Sequence, residues 1–156
     1  MILVRPSEPE DDTAVRTVDA LATAALRETY RPNKAALDNK ARIAGHLNRL
    51  VATIGGQIVG TVRWYVEDLS VTVVGLGVHP DFRRKGVARE LLSSLEKIGR
   101  QHGATRLHLH TVKQTGNVTV FARLGFRIVA EREDQFSESD KYPTLTDVEM
   151  ERVLER

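Results

Sequence analysis

An apolar run from Ser70 to Val78 stops at Pro80 and passes through the basic residues Arg83, Arg84 and Lys85 to Gly86. After Gly86, the residues Val87, Ala88, Leu91, Leu92, Leu95 and Ile98 recur at helical spacing. A strand this uniformly apolar needs cover on both faces, which places it at the centre of a sheet. Proline offers no N–H to a sheet ladder and ends the strand. The helix that follows carries one buried stripe, and Gly103 caps its far end.

The remaining segments read in order around this unit. Ile2 to Arg5 is a short strand ended by Pro6, and Pro9 to Asp12 carries acidic and proline signals for a helix start. Ala14, Val15, Val18, Leu21, Ala22, Ala25 and Leu26 then recur at helical spacing until Pro32 breaks the pattern. A second, weaker helix is expected with Leu37, Ile43, Leu47 and Leu50 on one side. Val51 to Ile54 and Ile58 to Tyr65 read as strands joined by Gly55-Gly56, a turn pair able to take positive φ. Thr105 to Val112 is a strand, Val118 to Leu124 a short helix stopped by Gly125, and Phe126 to Glu131 and Thr146 to Val153 are the last strands. A polar loop at 134–145 separates those two. This order implies an α/β (α+β mixed) chain with a mixed sheet and helices on both faces.

The 156 residues fit one domain spanning 1–156, and the 41% apolar content is enough for an ordinary interior. No apolar run approaches the roughly 18 residues of a membrane helix, and no signal peptide is visible at Met1 to Pro6. With no cysteine the chain has no disulfide, thiolate metal site or cysteine nucleophile, which agrees with a cytoplasmic location. The net charge of +2 suits an anionic ligand.

The chemistry concentrates between Leu76 and Arg89. A helix N-terminus presents unpaired backbone N–H groups and the positive end of the helix dipole. Gly86 would let a ligand approach that backbone closely, and Arg83, Arg84, Lys85 and Arg89 add charge for phosphate oxygens. Competing phosphate motifs fail: Gly75-Leu76-Gly77 meets Pro80 where a dinucleotide fingerprint needs its third glycine, and no GxxxxGK[ST] occurs.

Arg83-x-x-Gly86-x-Ala88 resembles the [QR]-x-x-G-x-[GA] signature of the GNAT superfamily of acyl-CoA N-acetyltransferases. It follows a strand end of the form hxVxPxxR (Leu76, Val78, Pro80, Arg83) and opens a helix with Ala88, Leu91 and Leu92 in the matching places. Phe121-Ala122-Arg123-Leu124-Gly125-Phe126 looks like a second motif of that family, and Val4-Arg5-Pro6 with Glu10-Asp11-Asp12 like its opening strand and helix. The resemblance implies a GNAT fold, with a mostly antiparallel sheet of six to seven strands. It implies acetyl-CoA as co-substrate, with its pyrophosphate over Arg84, Lys85, Gly86, Val87, Ala88 and Arg89. Strand Ser70 to Val78 would diverge from Thr105 to Val112, and pantetheine would bond the Leu76 and Val78 backbone in the gap. The Val78 N–H would polarise the thioester carbonyl. It also brings a homodimer through late strands, with Thr146 to Val153 as the expected edge.

Two positions depart from the family pattern. Where members often carry tyrosine as general acid for the thiolate, this chain has Phe121, which has no proton to give. Where members often carry an asparagine that contacts coenzyme A, this chain has Gln114, with Asn117 one helical turn nearer the glycine. An amine of pKa about 10.4 must also lose a proton before it attacks. In Leu107-His108-Leu109-His110-Thr111 both histidines share a face, and His110 is the candidate base, its repulsion with His108 favouring a neutral ring. Glu28, Glu67 and Asp68 are other candidates, acting through water, and His79 reads as a strand-end residue. Two histidines are too few for a metal site, so none is expected. Helices around Glu28 to Leu50 and loop 134–145 with Tyr142 are expected to shape the acceptor pocket; Trp64 and Tyr65 are candidates to line it, with core packing the leading expectation for Trp64.

The leading expectation is an N-acetyltransferase acting on a primary amine by direct attack in a ternary complex. The rival, motivated by Phe121, is a non-catalytic acyl-CoA-binding module. Nucleic acid is not expected as a partner, because the basic residues form one loop without an aromatic platform.

Overall fold

A computed structural model describes residues 1–155. Along the chain run β1 (Ile2–Pro6), α1 (Asp12–Thr23), β2 (Arg31–Pro32), α2 (Lys34–Ile43), β3 (Asn48–Ile54), β4 (Gln57–Glu67) and β5 (Ser70–Val78). They are followed by α3 (Val87–Gln101), β6 (Arg106–Val112), α4 (Asn117–Arg123), β7 (Arg127–Glu133), β8 (Ser137–Glu138) and β9 (Thr146–Val153). Seven strands make one sheet in the order β1-β3-β4-β5-β6-β9-β7. Every neighbouring pair is antiparallel except β5 and β6, which α3 connects in parallel. No helix among the described residues is long and apolar enough to cross a membrane.

The periodicities explain the layers. The stripe on α3 buries Leu91, Leu92 and Leu95 completely, against Val62, Val71, Leu107, Leu109, Val148 and Met150 from four strands. Burying one such leucine contributes about 1.5–3 kcal/mol. Val118 and Phe121 of α4, and Leu124 just after it, join the same cluster. On the opposite face, Val15 and Val18 of α1 pack on Val51 and Ile58. Gly55 and Gly56 turn the β3–β4 hairpin with φ of 57° and 83°, as the sequence predicts.

Several expectations change. The helix α1 ends at Thr23, and Leu26 opens a 3-10 turn, Leu26–Glu28. Leu47 lies beyond α2, and Leu50 is a core residue of β3, because the apolar spacing of the helix runs on into the strand. Strand β9 is not an edge: it inserts between β6 and β7 and pairs with both. The edge at that end of the sheet is β7, where Arg127, Glu131, Arg132 and Glu133 supply the charge that discourages further strand addition.

The segments expected to border the acceptor are clasped together. Strands β2 and β8 pair as Arg31↔Glu138 and Pro32↔Ser137. Asn33 extends the tie, its N–H donating to Phe136 O at 3.0 Å and its Nδ2 to Gln135 O at 2.9 Å. Arg31 bonds both Glu138 (3.1 Å) and Asp140 (3.0 Å).

Candidate active site

The central strands pair only as Ser70↔Arg106, Val71↔Leu107 and Thr72↔His108. Beyond Thr72 they separate, while β5 keeps its other edge on β4 as far as Val78. Arg63 pairs with Gly75 and Trp64 with Val73, so Val74 is an extra residue on β5. Such a bulge bends its strand, here at the start of the split. The His79 N–H donates to Val59 O on β4 at 2.8 Å. Consecutive groups of an antiparallel strand face opposite edges, so the N–H groups of Val78 and Leu76 face the gap.

At the open end lies the start of α3. Gly86 is its N-cap, with φ 86°, a left-handed conformation that glycine adopts without steric cost. Arg84 also has positive φ, 64°. Glu90 N–H is the first to find a helical acceptor, Gly86 O at 3.0 Å. The N–H groups of Val87, Ala88 and Arg89 are thus left for something outside the helix. Val87 presents only backbone, since its side chain is buried at 2% exposure. Arg83, Arg84, Lys85 and Arg89 are exposed and, among the described residues, form no ion pair. Arg89 makes one long hydrogen bond, to Arg123 O at 3.4 Å.

The pair expected to include a pantetheine contact separates in role. Gln114 uses both ends of its amide on β9: Thr146 N–H donates to its Oε1 at 3.0 Å, and its Nε2 donates to Thr146 Oγ1 at 3.4 Å. Asn117 opens α4, but Gly116 is the N-cap, which leaves the Asn117 side chain uncommitted to the helix. The Phe121 ring stands edge-on to Phe126, centroids 5.8 Å apart, half-buried against the core.

Across the gap, His108 and His110 share a face, ring centroids 5.0 Å apart. They are not two rings left to repel each other, because each has a carboxylate from β9. His108 Nε2 lies 2.6 Å from Glu149, and His110 Nδ1 lies 3.0 Å from Asp147. Arg132 on β7 donates to both acids, at 3.1 Å to Asp147 and 3.0 Å to Glu149. Arg132 and then His108 hold the Glu149 carboxyl down to about 2. A carboxylate accepts, so in this contact His110 Nδ1 is the donor, and a neutral ring would keep its lone pair on Nε2. His108, His110 and Glu149 also place one ligand-capable atom each within 4.8 Å of the others, three groups where the sequence brought two together. Alternating acids at Asp147, Glu149 and Glu151 opposite alternating histidines were the signal for these partners.

The other expected residues divide between the core, the groove beside His108 and two turns. Trp64 is 8% exposed in the core on the α3 side, so it cannot line a pocket on the face that carries the histidines. Tyr65, next along the strand, does face an open groove shared with Thr72, His108 and Glu149. Glu67, the last residue of β4, and Asp68 line that same groove, at the closed end of the split where β5 begins. Glu28 lies in the 3-10 turn after α1. His79 Nδ1 accepts from Asp81 N–H at 3.1 Å, which caps the turn after β5.

Sequence reasoning missed an arginine pair. Arg49 on β3 is opposite Arg63 on β4. Asp19 of α1 lies 3.7 Å from Arg49 and accepts from Thr61 Oγ1 at 2.5 Å.

A model described as the acetyltransferase (GNAT) family matches residues 15–126. An acetyltransferase of Pectobacterium atrosepticum is 43% identical over 60 residues, 38% of this chain and 43% of that protein, so the likeness spans under half of that relative's length. Among solved structures, the ribosomal-protein-S18-alanine N-acetyltransferase of Escherichia coli superposes with a TM-score of 0.76 at 18% identity, covering 100% of this chain and 96% of that one. The protein smu.2055 of Streptococcus mutans gives 0.76 at 22% identity, covering 98% and 99%. The PaiA N-acetyltransferase of Thermoplasma acidophilum, solved in complex with coenzyme A, gives 0.72 at 16%, covering 98% and 99%. At these identities the superpositions show a shared fold.

Proposed function

The chain belongs to the GNAT acetyltransferase family, and on that premise we propose that it transfers an acetyl group from acetyl-CoA to a primary amine by direct attack in a ternary complex. The observation that carries this reading is the split between β5 and β6, which leaves a strand edge unpaired and leads to the Gly86 turn. The residues present fit an acyl-CoA. The Leu76 and Val78 backbone would hold pantetheine as an added strand, and Asn117 is free to reach it, whereas Gln114 is committed to Thr146. The N–H groups of Val87, Ala88 and Arg89, with Arg83, Arg84 and Lys85 around them, would hold the pyrophosphate.

In the reaction the acceptor nitrogen bonds to the acetyl carbon, the carbon–sulfur bond breaks, and sulfur leaves with the electron pair. Val78 N–H polarises the carbonyl. His110 takes the amine proton at Nε2, directly or through one water, while Asp147 fixes the ring from the other nitrogen. Phe121 donates nothing, and a thiol of pKa about 8.5 leaves adequately as thiolate.

The deciding measurement is thiol release from acetyl-CoA with a panel of amines, beside calorimetric titration of acetyl-CoA. Gly86→Trp should abolish binding, since a bulky residue is strained at that φ and blocks the turn. Unchanged affinity would remove the pyrophosphate from this turn. Binding without thiol release for any amine would favour the non-catalytic module, the reading that Phe121 supports.

A further inference from the structure

Arg49 and Arg63 stand directly opposite one another on β3 and β4, an arrangement of like charges that costs stability. Asp19 is the acid that acts on both, and one of its oxygens is taken by Thr61. Arg49 Nε is buried with no partner, and Arg63 is half-buried with no hydrogen bond among the described residues. Burial pulls the Arg63 guanidinium below its ordinary range; Asp19 opposes that shift and Arg49 adds to it. The cluster therefore holds two cations for one anion, with the buried Arg49 Nε unpartnered.

Its position gives the excess a use. Arg63 pairs with Gly75, and its Nη2 lies 3.0 Å from where a Gly75 Cβ would stand. Any side chain there would meet the guanidinium, so the strand between the cation and the gap is bare backbone. The last paired residues of β5 and β6 are Thr72 and His108, so Gly75 and His110 follow them on the two sides of the gap. Arg63 and Gly75 thus stand on one side of the gap and His110 on the other, on the same face. Neighbouring strands stand about 4.8 Å apart, so β4 and β6 are about 10 Å apart, or wider at the split. Side chains reaching in from both sides leave room for a molecule whose anion lies only a few bonds from its amine.

We propose that Arg63, backed by Arg49, binds an anionic group of the acceptor, which is therefore a small amine bearing a carboxylate, a free amino acid. This rests on the reading that the chain acetylates an amine in the gap between β5 and β6. Arg63 is the specificity-determining residue, and His110 meets the amine at the other end of the same molecule.

The test is calorimetric titration of the chain saturated with coenzyme A, using six amino acids and their decarboxylated counterparts. The pairs are phenylalanine and phenethylamine, tyrosine and tyramine, tryptophan and tryptamine, histidine and histamine, arginine and agmatine, and lysine and cadaverine. The expected result is that in at least one pair the amino acid binds about tenfold or more tightly, the size of one charge-assisted hydrogen bond. Arg63→Gln should bring that ratio near one, and Arg63→Lys should keep part of it. If the amines bind as well as the amino acids, or if nothing in the set binds, the proposal fails. The comparison is made on the unaltered chain, so it stands even if Arg63→Gln does not fold. Thiol release separates the two readings. Release with amines irrespective of the carboxylate keeps acetyl transfer and overturns the anion site. Amino-acid preference without release keeps the anion site and overturns turnover.

Discussion

The two sides of the split treat charge differently. On the β6–β9–β7 side, His108, His110, Asp147, Glu149 and Arg132 form a lattice in which each charged group has its partner. On the β3–β4–β5 side, Arg49 and Arg63 share Asp19, and donors are left over. Both sides lie on the same face, over a common core, and the less exposed side is the one left short of partners. A closed lattice holds a side chain at a set angle, which a proton acceptor needs. An open pair waits for a charge that the chain does not supply.

The largest effect should come from the lattice's exposed member. His110→Ala should lower kcat by about 10²-fold or more, with acetyl-CoA affinity near that of the parent by calorimetry. His108→Ala, whose ring is tied to Glu149 at Nε2, should do much less. Equal effects would mean that the lattice is scaffolding and that the proton leaves by water.

Acid should dissolve the lattice next. Glu149 is held at about 2 against an ordinary 4.5, by Arg132 first and His108 second. Asp11 is held at about 2 against 3.8, by the Arg5 guanidinium first and the Glu8 N–H second. Both values are depressed in the folded chain, so their stabilisation is complete above the ordinary values and is lost as pH falls toward 2. The urea midpoint should fall over that window, and both Glu149→Gln and Asp11→Asn should flatten the fall. A parent whose midpoint does not change with acid would show that these pairs add nothing to stability.

The smallest effect belongs to the rim of the lattice. Arg127 bonds Glu151 at 2.8 Å from an exposed position on the edge strand. Arg127→Ala should change unfolding free energy by no more than about 1 kcal/mol. A larger loss in urea unfolding would mean that the lattice extends to the edge as one unit.

What the sequence reveals follows how local each feature is. The β5 run, the α3 stripe and the Gly55-Gly56 turn depend on neighbours within a few residues, and the chain spells them out. Leu47 and Leu50 continue a helical spacing into a strand, because a short apolar pattern carries no mark of where the backbone changes state. The order β6-β9-β7 depends on which distant strand arrives between two others, and no local residue encodes that. The same holds for Asp147 beside His110 and for Arg49 opposite Arg63, which only the cross-strand register brings together. Trp64 and Tyr65 are a case the alternation of a strand resolves: Trp64 takes the core and Tyr65 the groove. Adjacent residues on a strand face opposite sides, so Trp64 and Tyr65 could never both line one pocket.

The seam between β5 and β6 has a consequence for how the molecule comes apart. Three residue pairs join the first four strands to the last three, and α3 rivets both groups from one face. A sheet joined so narrowly has a natural line of division into two cooperative units, each held by full-length antiparallel ladders. Amide exchange should trace that line. Protons of β6 and β9 should be released together through partial openings that leave the β3–β4 ladder protected, so the place where the chain would admit its ligand is also where its order is least continuous.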